Sequence, residues 1–449
     1  MNKQMINIFS EKKIVLFLRP DGMGKTTFLK KIEKYFVEER KIPVLHLSFG
    51  ERRYTYDFDI DCVVQSALTA YEAVYRIEKS ESTEKLSEGE RFARCIIGAK
   101  ERTGKNCAIL IDDYDFPLLD DSADDTAKAH FESVLSSLYG AINTHKSYIE
   151  TAFITGSSYQ NILLKYAKPN DLTENSELSS SFGLKEDDIL QLTNGEREKA
   201  KKLIEWYGGY SFGNDEKNRI CNAYSLFSAL NTGIIRTYNL GTKRIEKGIE
   251  NILLSSFDFS LLLHKNGIEC SEEAFFSYDN RSISPLPYLY QAGFLAKTKN
   301  NTQFNTFSLF FPNKEVRDIF FTECSRRLTA IPTHDIKMWT IKALRALEAD
   351  DLREFFTQVN MALKNTSRLR DALTTIFGLF SIYTDSYFYD GYFSVETQSY
   401  LHLIAFDLVS MENAADRLYL TTIASGIKKV KKTGALINAQ KGVISYRTM

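Results

Sequence analysis

What restricts this chain's fold most is the order of three segments within its first forty residues. Ile14 to Leu18 is a short, fully apolar run that stops at Arg19-Pro20. From Lys25 to Glu39 the apolar residues Phe28, Leu29, Ile32, Tyr35 and Phe36 recur at helical spacing. The first pattern predicts a buried parallel strand ended by a turn, and the second an amphipathic helix. Between them lies "RPDGMGKTT", residues 19–27. Strand, glycine-rich loop and helix in this order place backbone N–H groups around an anion at a helix N-terminus.

Three further apolar runs extend the frame: "PVLHLSFG" (43–50), "CAILIDDYDFPLLD" (107–120) and "YIETAFITGSS" (148–158). Strands alternating with helices predict a parallel α/β sheet whose ligands bind at the carboxyl ends of the strands. With 449 residues the chain exceeds what one core usually serves, so two or three domains are expected. A hydrophobic fraction of 43% and a charged fraction of 26% match an ordinary globular protein. The formal net charge of -1 argues against a surface wholly committed to nucleic acid.

In the phosphate-binding pattern G-x-x-x-x-G-K-[ST], loop amides surround the phosphates, the lysine reaches the β and γ groups, and the hydroxyl ligates Mg²⁺. Gly22, Gly24, Lys25, Thr26 and Thr27 supply this here, and Arg19 replaces the first glycine. Arg19 is expected either to contact phosphate or to close the loop, with Pro20 fixing the turn. Ala108 to Ile111 followed by Asp112 and Asp113 fits a Walker B strand. Asp112 would hold Mg²⁺ and Asp113 would orient the attacking water. Because Asp113 is one methylene shorter than the usual glutamate, slow hydrolysis is expected. Ser157 and Ser158 either sense the γ phosphate or form an ordinary strand-end turn, and Asp120, Asp121, Asp124 and Asp125 read as a solvated acidic loop.

The six cysteines show no C-x-x-C pair and no histidine spaced for zinc, so buried reduced thiols are expected. The N-terminus lacks a secretory apolar region, and no run reaches the ~18 apolar residues of a membrane helix. A cytoplasmic location is therefore expected, although signal-independent export leaves no trace. Residues 168–181 read as a boundary loop, and 335–363 as two packed amphipathic helices. The aromatics of "WYGGYSF" (206–212) are expected in core or turn.

These motifs resemble those of the AAA-ATPase-like proteins that carry a PD-(D/E)xK nuclease-type domain at the C-terminus. That family's loop begins Arg-Pro and ends Gly-Lys-Ser/Thr, and its Walker B is similar to "LIDEYDKP", here "LIDDYDFP" (110–117). "NDLTENSELSSSFGLKEDDI" (170–189), "WYGGYSFGNDEKNRICNAYSL" (206–226), "YQAGFLAK" (290–297) and "FFPNKEVRDIF" (310–320) look like its later segments in the same order. The resemblance implies a P-loop NTPase (ASCE-like) parallel-sheet domain over 1–165 and a mostly helical, winged-helix-like middle region over 166–330. A restriction-endonuclease-like α/β module would follow over 331–449. ATP and Mg²⁺ are the implied cofactors.

The last quarter departs from the family. A PD-(D/E)xK site needs an acid on one strand and acid-x-lysine on the next. Glu396 stands where the family has a helix glutamate, but Ile437 takes the aspartate's place and Ser445-Tyr446-Arg447 replaces Glu-x-Lys. A degenerate, inactive nuclease-like module is implied; a different alignment of the last forty residues would restore an active one. The basic cluster Lys428, Lys429, Lys431 and Lys432, with Lys441 and Arg447 nearby, is either a weak, salt-sensitive contact to DNA or RNA or a solvated loop. The expected function is an ATP-binding, slowly hydrolysing, nucleotide-dependent switch. The alternatives are an interaction or nucleic-acid-binding module with a vestigial nucleotide site, or a P-loop phosphotransferase, for which no arginine-rich lid is visible.

Overall fold

A computed structural model describes residues 14–50, 52–78, 86–120, 122–175, 178, 183–212, 219–238, 243–255, 257–271, 285–298, 304, 306–364, 366–389, 392–407, 416–424, 430–438 and 443–448. They gather into two compact units. The first takes in residues up to 189 with 211–224 and 291–293, and the second 190–210, 225–290 and 294–449.

The first unit is built on five parallel strands, β1 (Ile14–Leu18), β2 (Val44–Ser48), β3 (Cys107–Asp112), β4 (Ile149–Gly156) and β5 (Asn170–Asp171), in the order β2-β3-β4-β1-β5. Every residue of β1 and β3 is buried, as expected of strands covered on both faces. The covering helices are α1 (Lys25–Lys34), α2 (Phe58–Tyr75), α3 (Glu88–Thr103) and α4 (Asp125–Thr144). Leu16, Ile109, Ile111 and Ile154 from the sheet pack in one core with Phe92, Ile96, Phe131 and Leu138 from the helices. Each such burial contributes about 1.5–3 kcal/mol. Since β4 lies between β1 and β3, the loop leaving β1 and the acids ending β3 emerge at one edge, a single strand apart.

The helix expected over 25–39 is α-helical only to Lys34 and continues as a π-helical turn, Tyr35–Arg40, stopped by Lys41 at φ 53°. The polar stretch read as a boundary loop contributes β5. There Asn170 Nδ2 donates to the Ile14 carbonyl at 3.2 Å, and Thr173 Oγ1 accepts from the Leu18 amide at 3.1 Å. Short polar side chains thus do part of the pairing that an apolar pattern would have announced. Nor is the acidic loop simply solvated. Asp120 is buried and accepts from the amides of Tyr54 (3.0 Å) and Ser122 (2.9 Å), while Asp124 caps α4 through the Ala127 amide at 2.8 Å. Asp121 lies outside the described residues. Cys95, Cys107, Cys221 and Cys324 are buried as expected, but Cys270 is half-buried and Cys62 exposed.

The second unit contains α5 (Arg197–Tyr207) and an antiparallel sheet of β6 (Ile268–Ser271), β7 (Ala296–Lys297) and β8 (Thr306–Phe310), with β8 in the middle. Helices α6 (Lys314–Leu328), α7 (Ile336–Glu348), α8 (Leu352–Ala362) and α9 (Leu369–Phe380) follow. The helix pair expected within 335–363 is α7 and α8, joined by Trp339 Nε1 donating to the Gln358 carbonyl at 3.2 Å. Tyr207 and Tyr210 of "WYGGYSF" are buried in this unit, and Phe212 in the first.

The chain ends in a six-stranded antiparallel meander: β9 (Asp385–Tyr389), β10 (Tyr392–Glu396), β11 (Tyr400–Asp407), β12 (Asp416–Ala424), β13 (Val430–Asn438) and β14 (Val443–Thr448). Glu396 therefore ends a strand, where the resemblance implies a helix; Phe393, Ser394 and Val395 ahead of it are all buried and only Glu396 is exposed. Lys431 and Lys432 lie on β13 opposite Thr422 and Thr421, while Lys428, Lys429 and Lys441 lie outside the described residues. Among the described residues no helix is long and apolar enough to cross a membrane.

Candidate functional site

The loop after β1 turns through two left-handed residues, Gly22 (φ 80°) and Gly24 (φ 88°), and α1 begins directly after the second without a side-chain cap. A Cβ on Gly22 would also lie 2.5 Å from Asn222 Oδ1. Asn222 fastens the loop. Its Nδ2 donates to the Asp21 carbonyl at 2.9 Å, and the Tyr224 amide donates to the Gly22 carbonyl at 3.0 Å. A short antiparallel pairing of Leu184–Lys185 with Ile220–Cys221 holds this distant segment in the same unit.

Arg19 is 1% exposed. Its amide donates to the Gly156 carbonyl at 3.0 Å, which extends the β1–β4 pairing by one residue. Its Nη1 donates to the carbonyls of Leu18 (2.7 Å) and Thr173 (2.8 Å). The guanidinium also lies 4.0 Å from the ring centroids of both Phe17 and Phe212. Of the two roles expected of Arg19, this geometry favours closing the loop.

Lys25 is buried at the start of α1. Its Nζ donates to the carbonyls of Arg19 (3.1 Å) and Pro20 (3.4 Å), and lies 3.3 Å from Asp21 Oδ1 and 3.5 Å from Asp113 Oδ1. Lys25 and Asp113 are thus brought together. Thr26 and Thr27, in the first turn of α1, are exposed.

Asp112 ends β3 fully buried. Thr155 Oγ1 donates to its Oδ1 at 2.6 Å, whereas Oδ2 is buried with no hydrogen-bond partner among the described residues. Asp113 has left-handed backbone, φ 49°. Burial pushes its carboxyl up to about 6; Lys25 opposes the shift, and Asp112, Asp21 and Asp115 add to it. The close approach of Gly50 crowds this carboxylate, since a Cβ there would lie 2.4 Å from Asp113 Oδ2.

Asp115, fully buried, was not anticipated. Its Oδ2 accepts from the amides of Ser157 (3.1 Å) and Ser158 (2.8 Å) and from their hydroxyls at 2.9 and 2.7 Å. The two serines are committed to this carboxylate, which agrees with the strand-end reading of "ITGSS". The buried Tyr114 hydroxyl donates to the Ser158 carbonyl at 2.8 Å and accepts from the Gln160 amide at 3.0 Å, locking the ends of β3 and β4 together. Asn222, Asp115 and Thr155 carry no local sequence signal, because each is a single polar residue with a long-range partner.

A family model described as a predicted AAA-ATPase matches residues 25–160, from the start of α1 to just beyond β4. The matched stretch includes Lys25, Thr26, Asp112 and Asp113. The chain is also similar to an uncharacterized protein in the vnfD 5' region of Azotobacter chroococcum mcd 1, at 22% identity over 327 residues. That alignment covers 67% of this chain and 60% of the relative, so the chain spans less than two thirds of the relative's length.

Proposed function

We propose that this chain binds ATP with Mg²⁺ at the Gly22–Thr27 loop, hydrolyses it slowly and uses the bound nucleotide as a switch. The observation that carries the reading is the buried Lys25 Nζ, gathered by the loop's own carbonyls and 3.5 Å from Asp113. A triphosphate would occupy the loop amides and the N-terminus of α1, and Lys25 would exchange carbonyl partners for β and γ phosphate oxygens. Asp112 Oδ2, without a hydrogen-bond partner among the described residues, and the exposed Thr26 fit an oxygen-ligated divalent cation. Mg²⁺ bound there would neutralise phosphate charge. Asp113 would position the attacking water. Asn222 and Tyr224, bonded to the loop, would sense its conformation. Titration calorimetry of the whole chain with ATP and Mg²⁺ tests the proposal, and absence of binding at millimolar nucleotide would end it.

Asp113 sets the expected pH dependence. Its carboxyl, raised to about 6 in the nucleotide-free protein, must be ionised to direct water, so kcat/KM for ATP, which reports the free protein, is expected to fall about tenfold per pH unit below that value. Asp113→Asn should lower the rate and remove this acid limb. The sign for stability is opposite: a carboxyl raised in the folded state costs stability above pH 6, and the cost is relieved as the pH falls from 6 toward the ordinary aspartate value. Gly50→Ala should displace the same carboxylate, lowering the hydrolysis rate on the order of tenfold in a phosphate-release assay while ATP affinity stays within about threefold.

The C-terminal module enters the proposal as a nuclease-like fold without nuclease chemistry. Ile437 faces Ile444 and Leu436 faces Ser445 in register, so the two strands pair without an acid at these positions. A weak contact of the 428–432 lysines with DNA or RNA belongs to the same proposal.

A further inference from the structure

The second unit holds a cleft of about 930 Å³ that the ATPase reading does not use. Arg317, near the start of α6, lines it. Its Nη1 donates to the Ser381 carbonyl at 3.3 Å, and among the described residues no carboxylate comes within 4.0 Å of the guanidinium. Burial pulls its pKa below the ordinary arginine value, with Tyr387 and Asp385 opposing from a longer range. A half-buried cation with one carbonyl partner and no adjacent carboxylate is left for an anion to complete.

The same cleft is lined by Asp385 and Glu396, which face each other in register across β9 and β10. Residues opposed in this way project from one face of the sheet, where like charges repel. Neither makes an ion pair within 4.0 Å among the described residues. The neighbouring charges are better matched. Lys314 pairs with Glu205 at 3.0 Å, Glu348 accepts from Ser399 Oγ at 2.6 Å, and Arg345 is exposed to water. One cleft therefore combines a half-buried cation and a carboxylate pair that, among the described residues, have no opposite charge within 4.0 Å and act on each other only from longer range.

We propose that this cleft binds a zwitterionic ligand of the amino-acid or short-peptide class, its carboxylate on Arg317 and its ammonium at the Asp385–Glu396 pair. The guanidinium fork matches a carboxylate in bidentate geometry. A volume near 930 Å³ lies within the range of small-molecule sites and admits a few residues of peptide. The proposal does not depend on nucleotide binding.

The test is calorimetry of the full chain with trialanine, alanine, N-acetyl-trialanine and trialanine amide. Trialanine or alanine should bind, and masking either terminal charge of trialanine should weaken binding about tenfold or more. Tighter binding of trialanine than of alanine assigns the site to peptides, and the reverse to free amino acids. Arg317→Gln should abolish the preference for trialanine over its amide. Asp385→Asn and Glu396→Gln, at exposed strand positions where folding is not at stake, should abolish the preference over the acetylated peptide. No binding of either zwitterion at about 10 mM, or equal binding of the masked peptides, would overturn the proposal and leave the cleft's charges balanced by water.

Discussion

Lys25→Ala is expected to weaken ATP–Mg²⁺ binding by about a hundredfold or more. Two charge-assisted contacts to phosphate oxygens are lost, together about 3 kcal/mol. The same substitution removes the cation that opposes the rise at Asp113, leaving burial, Asp112, Asp21 and Asp115 to push it further. Its carboxyl should therefore titrate above 6, and any residual hydrolysis should show its acid limb displaced to higher pH. Calorimetry of wild type and variant separates three cases. Binding lost in the variant establishes a working phosphate loop. Equal binding by both would mean that the backbone holds the nucleotide and Lys25 only closes the loop. No binding by either favours the interaction-module reading, in which Arg19 and Lys25 serve the shape of the loop through the carbonyls they already hold.

The legible part of this chain is local or periodic. β1 and β3 fall where uninterrupted apolar runs end in turn residues, β4 where a mostly apolar run broken by Glu150 and Thr151 does so, and Gly22, Gly24, Lys25 and Thr26 announce the loop because only closely spaced residues can make it. The bonds that hold the loop are not local. Asn222 reaches Asp21 across 201 residues, and Thr173 reaches Leu18 across 155. Nothing in their neighbours marks these two among the chain's other small polar residues. Asp113 is instructive in another way. Its length could be read as a defect relative to glutamate, but its left-handed backbone, φ 49°, is a conformation that aspartate tolerates better than longer side chains. In the last quarter, Asp390-Gly391 is a hairpin signal that the expectations above do not use, and β9 and β10 flank it. The six-strand meander was harder to see because its faces mix aromatic and hydroxyl residues instead of alternating cleanly.

Asp115→Ala should be the most damaging single change in the first unit, at about 3–5 kcal/mol. One oxygen accepts from four donors at 2.7–3.1 Å in a site closed to water, so truncation leaves the amides and hydroxyls of Ser157 and Ser158 without their acceptor together. A single buried hydrogen bond would count for about 1 kcal/mol. The larger figure follows from four desolvated donors that cannot all turn to other partners while Tyr114 and Gln160 hold the same turn in place. Asp115→Asn retains an acceptor oxygen but adds an NH₂ group beside these donors, so it should cost less than half as much. Both tryptophans, Trp206 and Trp339, belong to the second unit, which makes their fluorescence a poor reporter of this damage. Hydrogen exchange of the amides in 107–120 and 149–160 is the better measurement, with protection expected to fall by a factor of about 10²–10³ in the alanine variant. Exchange unchanged within about threefold would mean that water or the serines themselves satisfy the orphaned groups, and that the junction of β3 and β4 is held by Tyr114 and packing. In that case the carboxylate would be retained for its charge, which raises the Asp113 pKa. The acid limb of hydrolysis would then move to lower pH in Asp115→Ala.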